Sequence, residues 1–257
     1  MTSRLFWTII GLILVVILFY VLILMDEIDG APIYRYNNIK PNLRTGDIIL
    51  FSCNKIGSLS ERIMYGLRTK TFDSIYGHAG LVFKKDDNIY IIECCGQDQC
   101  GNESAQKLNK CGEGGIRIIE IDTLLQEYYK EYNGTYAVKF ISKELPNHLV
   151  IKNLKKYKNI IFQEGYKTAF LAIMDEGFSH RIAKYYGEKF SRKKMTCTEF
   201  LYNLLYDCGI VKEYPAKLFW PHLIAKTFFT NLELVKYSGL FKFSIADPTD
   251  NNKNNNN

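Results

Sequence analysis

The sequence predicts an α+β domain, an antiparallel sheet packed on helices, preceded by one N-terminal transmembrane helix. Short runs of β-branched and aromatic residues crowd residues 46–141, helical patterning takes over from residue 148, and an apolar stretch without a charge opens the chain. Strands first and helices afterwards is the order of an α+β fold. The chain has 257 residues, 47% hydrophobic and 23% charged. That is enough for one catalytic-size domain with attachments, and it excludes a mainly disordered protein.

Five segments follow along the chain: a short tail over residues 1–4, the transmembrane helix over 5–25, a tether over 26–42, the folded domain over 43–246 and an Asn-rich low-complexity tail over 247–257. The apolar run LFWTIIGLILVVILFYVLILM has the roughly 20 residues that cross about 30 Å of hydrocarbon as a helix. Cleavage as a signal peptide would need a small-residue site close behind it, and Gly30-Ala31 lies too far downstream. Arg4 precedes the run while Asp26, Glu27 and Asp29 follow it. The positive-inside tendency therefore puts the N-terminus in the cytoplasm and the body on the extracytoplasmic or virion-exterior side of a single-pass membrane protein.

Within the body, Thr45-Gly46-Asp47 reads as a turn feeding a buried strand over 48–52, and residues 58–71 read as a helix with Ser58 or Ser60 as N-cap. Two apolar runs, 78–83 and 89–94, flank the polar turn KKDDN and make a hairpin. Strands over 115–121 and 136–141 are separated by a helix near 123–132. Helices are expected over 148–157, 166–186 and 196–208.

All 7 Cys follow the apolar run, at Cys53, Cys94, Cys95, Cys100, Cys111, Cys197 and Cys208. An odd count leaves one without an intrachain partner. An extracytoplasmic body permits disulfides, with the Gly-rich loop holding Cys95, Cys100 and Cys111 as their place. A zinc site there lacks a CxxC pair and a nearby His, so no metal and no cofactor are expected. Asn102-Glu103-Ser104 and Asn133-Gly134-Thr135 fit the N-glycosylation sequon. The net charge is +6, yet no run of Lys and Arg interleaves with aromatics, which argues against nucleic acid as a partner.

The stretch Met195-Thr196-Cys197-Thr198-Glu199-Phe200 carries the chemistry. Thr196 and Glu199 form the T-x-x-E capping box, which makes Thr196 the N-cap and Cys197 the first helical residue. Free backbone N–H groups and the positive end of the helix dipole favour a thiolate there, as a cysteine nucleophile requires. A buried, inert thiol at a helix start is the competing reading. A nucleophile needs a base, and of the 4 His His78 stands out because it opens a strand between Gly77 and Gly80. A hairpin centred between Lys85 and Asp86 sets Glu93 directly across from His78, where a carboxylate can orient the imidazole. Otherwise Glu93 is a salt-bridged or solvent-face strand residue. His148 and His180 lie on amphipathic stretches and read as surface residues; His222, in FWPHL, reads as a helix-start residue.

These residues sit in segments that resemble the circularly permuted papain-like cysteine hydrolases, a branch of the cell-wall amidase superfamily with lecithin:retinol acyltransferase relatives and poxviral members. LRTGDIILF resembles the family's Gly-Asp and strand, TKTFDSIYGHAGLVF its His strand, IIEC the strand with the third catalytic residue, and MTCTEFLYNLL its Cys helix. EYPAKLFWPHLIA resembles the Pro-containing segment after that helix, and His before Cys is the permuted order. The resemblance implies a permuted papain-like fold with Cys197 as nucleophile, His78 as general base and Glu93 as the group holding the His tautomer. It departs from the family where Gly77 and Thr198 replace serines and where an unfamiliar Cys-rich insertion follows Cys95. The expected function is thus a membrane-anchored cysteine hydrolase or acyltransferase working on a peptide-type amide or a lipid acyl group, with the bilayer and that substrate as partners. The alternatives are a non-enzymatic membrane-anchored interaction protein on the same scaffold and a metal-binding ectodomain built on the Cys-rich insertion.

Overall fold

The structure, a computed structural model, describes residues 2–23, 33–52, 74–96, 106–107, 114–132, 134–162, 194–214, 216 and 219–245. The elements in chain order are α1 (Thr2–Ile23), β1 (Ile33–Arg35), α2 (Tyr36–Ile39), β2 (Ile48–Ser52), β3 (Tyr76–Lys85), β4 (Asn88–Cys95), β5 (Gln106–Lys107), β6 (Gly115–Glu120), α3 (Ile121–Tyr132) and β7 (Tyr136–Lys139). There follow α4 (Asn147–Leu154), β8 (Ile161–Phe162), β9 (Lys194–Met195), α5 (Cys197–Asp207), α6 (Pro221–Ala225) and β10 (Phe241–Ser244). The result is a mixed α and β architecture around an eight-stranded sheet in the order β1-β10-β7-β2-β3-β4-β6-β5. Its neighbours are antiparallel except β1 and β10, which run parallel.

Side-chain alternation splits the sheet's interior into two cores. Ile48, Leu50, Ala79, Leu81, Ile92 and Cys94 face one way and pack with Phe200, Leu201 and Leu204 of α5, Val150 of α4 and Ile224 of α6. Ile49, Phe51, Val82, Ile91 and Ile119 face the other way and meet Leu124, Leu125 and Tyr128 of α3. The strand β2 is buried on both faces, which is why IILFS reads as a continuous apolar run rather than an alternating one. In α3 the apolar positions recur at helical spacing, and Glu131 and Lys130 fall on the outer face.

The N-terminal segment corrects the membrane expectation. The backbone of α1 is helical over Thr2–Ile23. Among the described residues, no helix is long and apolar enough to cross a membrane. The structure therefore does not support the expected transmembrane helix over 5–25, nor the single-pass topology and the extracytoplasmic or virion-exterior placement of the body that rest on it. The tether also ends sooner than its polarity suggests: β1 adds to the sheet edge beside β10, and Ile39 and Leu43 are buried in the α3-side core.

The expected strands over 48–52, 115–121 and 136–141 and the helices near 123–132, 148–157 and 196–208 have counterparts in β2, β6, β7, α3, α4 and α5. The helix from 147 continues as a 3-10 turn through Tyr157. The expected helices over 58–71 and 166–186, Cys53, Cys100, Cys111, Asn102, Asn133, His180 and the tail over 247–257 lie outside the described residues.

Candidate active site

The site begins at the start of α5. Thr196 takes extended geometry, its hydroxyl accepts the Glu199 N–H at 3.2 Å, and the Glu199 carboxylate accepts the Thr196 N–H at 3.4 Å, so the capping box is formed. The Thr198 hydroxyl donates to the Phe219 carbonyl at 2.6 Å, tying this first turn to the segment before α6. Gly209 ends the element at φ 73°, a left-handed conformation that glycine adopts without strain. Cys197, a free and buried thiol, is thereby fixed as the first helical residue.

His78 reaches this point from β3. Phe51 pairs with His78 but Ser52 pairs with Tyr76, so Gly77 is an extra residue bulged out of the ladder. Bulges of this kind re-aim the side chains beside them. The imidazole lies against Phe51 and nearly parallel to the Tyr128 ring, 5.7 Å between centroids. Its Nε2 is 2.7 Å from Glu93 Oε2. The hairpin that joins them turns on two residues, Asp86 and Asp87, with Asp86 at φ 54° and Lys85 facing Asn88. The turn is therefore centred one residue later than the sequence suggested. Leu81 faces Ile92, and Glu93 lies diagonally from His78 rather than directly across. A long side chain covers that diagonal, and Gly80 keeps the lane open, since a Cβ there would meet Ile91 and Glu93.

Glu93 has no exposed surface, and a second partner holds it. Arg117, directly across on β6, donates from Nε to Glu93 Oε1 at 2.6 Å. This guanidinium is itself 1% exposed, and its Nη1 lies 3.6 Å from Glu127.

The charges follow from these contacts. Burial opposes ionisation of the Cys197 thiol, but the His78 charge, its hydrogen bond to the sulfur and the backbone N–H groups of Ala79 and Thr198 together hold its pKa below the ordinary thiol value. Burial likewise opposes charge on His78, yet Cys197 and Glu93 overcome it and raise the imidazole to about 10. Glu93 stays ionised: burial pushes its pKa up, and the charges of His78 and Arg117 bring it below the usual carboxylate value. These shifts favour the ion-pair form of Cys197 and His78, a thiolate beside an imidazolium, with the Glu93 carboxylate and the Arg117 guanidinium continuing the alternation of sign. Such a thiolate is a ready nucleophile, and the imidazolium beside it can hand a proton to a leaving group.

The three residues singled out in the sequence thus come together. Arg117, Tyr128 and Cys94 were missed. An alternation signal existed for Arg117, whose pairing across from Glu93 makes an opposite-charge cross-strand pair; it needs the β4–β6 register, which no local pattern supplies. Cys94 is a buried thiol next to Glu93 in sequence, with its sulfur 3.7 Å from the Met195 carbonyl. Burial and the nearby negative charges of Cys197 and Glu93 raise its pKa well above the ordinary value, which keeps it protonated. Cys208 is free as well, and Cys95 is disulfide-bonded. His222 is buried on α6, where burial and Lys226 depress its pKa to about 4. Among the described residues, no cluster of three His, Cys, Asp or Glu side chains has the arrangement to hold a metal ion.

No family model matches the chain. Among solved structures it is similar to the Escherichia coli metalloprotein yiiX, at 15% identity over 77% of this chain and 89% of that one, with a TM-score of 0.38. That likeness is too slight to bear on fold or chemistry. Among curated proteins it is similar to an uncharacterized protein of Acanthamoeba polyphaga mimivirus, 38% identical over 224 residues that span 86% of this chain and 89% of the other. With that identity over nearly the whole of both proteins, the chain belongs to the family of this mimivirus protein.

Proposed function

We propose that the protein is a cysteine hydrolase that cleaves an amide or ester through an acyl-enzyme. The observation that carries this reading is an imidazole held at 2.7 Å by a buried carboxylate, beside a thiol at a helix N-terminus whose pKa that imidazole lowers. Glu93 engages Nε2, which leaves Nδ1 to exchange protons with the sulfur and the substrate. The Cys197 thiolate attacks the carbonyl carbon and the C=O electron pair moves onto oxygen. Collapse of that intermediate expels the amine or alcohol, which takes the proton from His78. The neutral imidazole then removes a proton from water, hydroxide adds to the thioester, and the acid leaves as the thiolate is restored. The resemblance of the His, Glu and Cys segments to the circularly permuted papain-like cysteine hydrolases supports the same roles. Peptide-type amides and lipid acyl groups, the substrates that family suggests, both present the carbonyl this chemistry needs.

Alkylation of the full chain by iodoacetamide across pH, read by mass spectrometry of each modified Cys, tests the proposal. Cys197 is expected to react below the pH at which an ordinary thiol does and faster than Cys94 and Cys208, and His78→Ala is expected to abolish that advantage. If Cys197 reacts no faster than the other thiols and His78→Ala changes nothing, the catalytic reading fails and a non-enzymatic interaction protein on this scaffold remains.

A further inference from the structure

Tyr128 projects from α3 beside His78. The residue is 6% exposed, and its hydroxyl is buried without a hydrogen-bond partner among the described residues. Other buried or half-buried tyrosines donate: Tyr136 to the Leu125 carbonyl, Tyr157 to Asp207, and Tyr237 to the Gly46 carbonyl. A phenylalanine would fill the Tyr128 position with the same ring and without stranding a donor, so the hydroxyl costs the free protein stability and gives it no contact.

The ring has little freedom to seek a partner. Phe51 packs against it at 4.7 Å between centroids, Tyr132 at 5.4 Å, and His78 lies nearly parallel to it at 5.7 Å. The phenolic oxygen sits where the charges of Glu93 and Cys197 act on it. With burial, those charges push its pKa well above the ordinary tyrosine value. It is therefore a fixed, neutral donor beside the imidazole that acts on the reactive sulfur, one that can give a hydrogen bond but does not give up its proton.

Resting on the hydrolase reading above, we infer that Tyr128 is a catalytic residue whose hydroxyl donates a hydrogen bond to the substrate carbonyl oxygen as Cys197 attacks. As the S–C bond forms and the carbonyl π pair moves onto oxygen, the phenol finds the acceptor it lacks in the free protein. The bond strengthens as negative charge develops and is released when the carbonyl re-forms. Donors placed where an oxyanion develops accelerate the step, because they bind the transition state more tightly than the ground state.

The experiment compares two reactions of one sulfur in the full chain. Iodoacetamide is attacked at a saturated carbon, so iodide leaves and no oxyanion forms. p-Nitrophenyl acetate is attacked at a carbonyl, passes through an oxyanion and releases p-nitrophenolate as Cys197 becomes acetylated. Tyr128→Phe is expected to slow acetylation by about 100-fold, the loss seen when one oxyanion donor is removed, while alkylation of Cys197 keeps its rate and pH profile. Its Tm is expected to equal or exceed that of the wild type, because the hydroxyl makes no bond in the free protein. Equal losses in both reactions, no loss in either, or a lowered Tm each overturn the inference. If wild-type Cys197 is alkylated quickly but never acetylated, the hydrolase reading itself fails and takes this one with it; if the wild type and Tyr128→Phe acetylate alike, only the role of Tyr128 falls.

Discussion

Arg117 makes clear why a triad read from a sequence is incomplete. Glu93 is buried without any exposed surface, and an ionised carboxylate in that setting needs a compensating charge on each side. His78 supplies one and Arg117 the other. Arg117→Met is expected to cost about 3–5 kcal/mol of stability in urea unfolding, the usual penalty for leaving one member of a buried pair alone. Glu93→Gln in the same chain should recover part of that loss, and absence of coupling between the two changes would show that the pair is not the unit described here. The proposed hydrolase activity would respond in parallel: once Glu93 takes up a proton, His78 loses its anion and Cys197 its lowered pKa. Cys197, His78 and Glu93 were legible because each lies in a short pattern that announces itself, a capping box, a glycine-flanked His and an acidic residue ending an apolar strand. Arg117 and Tyr128 were not, because GIRIIEI and LLQEYYKEY show only their own periodicity and say nothing about what lies across the sheet or above it.

At the scale of elements, α5 and the β3–β4 hairpin set the site's geometry by different means. The helix is fixed locally. Thr196→Ala removes the bond to the Glu199 N–H and is expected to cost about 1 kcal/mol, measurable by urea unfolding; no change would mean that the first turn is held by the Thr198–Phe219 bond alone. The hairpin is fixed by its turn, where sequence reasoning placed the centre one residue early. Moving a hairpin's centre by one residue shifts each pairing by two, and two is the side-chain period of a strand. Glu93 therefore stayed on the face of His78 even though its expected partner was wrong. An error of one in the pairing would have sent the carboxylate into the α5-side core. Asp86 shows why the centre is hard to read: KKDDN contains two adjacent Asp residues, and which of them enters the left-handed region depends on the strands they join.

Across the molecule, the sheet order joins segments far apart in the chain, with β2 seated between β7 and β3. The mixed strand and helix content was readable from periodicity, whereas the parallel edge pair of β1 and β10 was not, since both strands are short and Ile33–Arg35 looks like tether. Global stability should carry a signature of α6. Its buried His222 is depressed to about 4 from an ordinary 6.5, so below pH 6.5 the unfolded chain binds a proton that the folded one refuses. The sign is therefore a loss of stability on acidification. Its contribution is full above pH 6.5 and declines as the pH falls through about 4, by roughly 3 kcal/mol at 1.36 kcal/mol per unit. Tm measured from pH 7 to pH 4 should drop less steeply for His222→Gln than for the wild type, and superimposable slopes would exclude His222 as the source.

The row from Cys197 to Arg117 has a further consequence at this scale. With Cys197 and His78 in their ion-pair form, thiolate, imidazolium and carboxylate add up to one net negative charge, a monopole whose solvation is lost inside a protein. The guanidinium closes the sum at zero. Those four groups between α3 and α5 then sum to zero, while Glu127 adjoins the guanidinium from the partly exposed side. The protein's excess of +6 belongs to the other residues, and their field acts on the site in addition to the short-ranged field of these four.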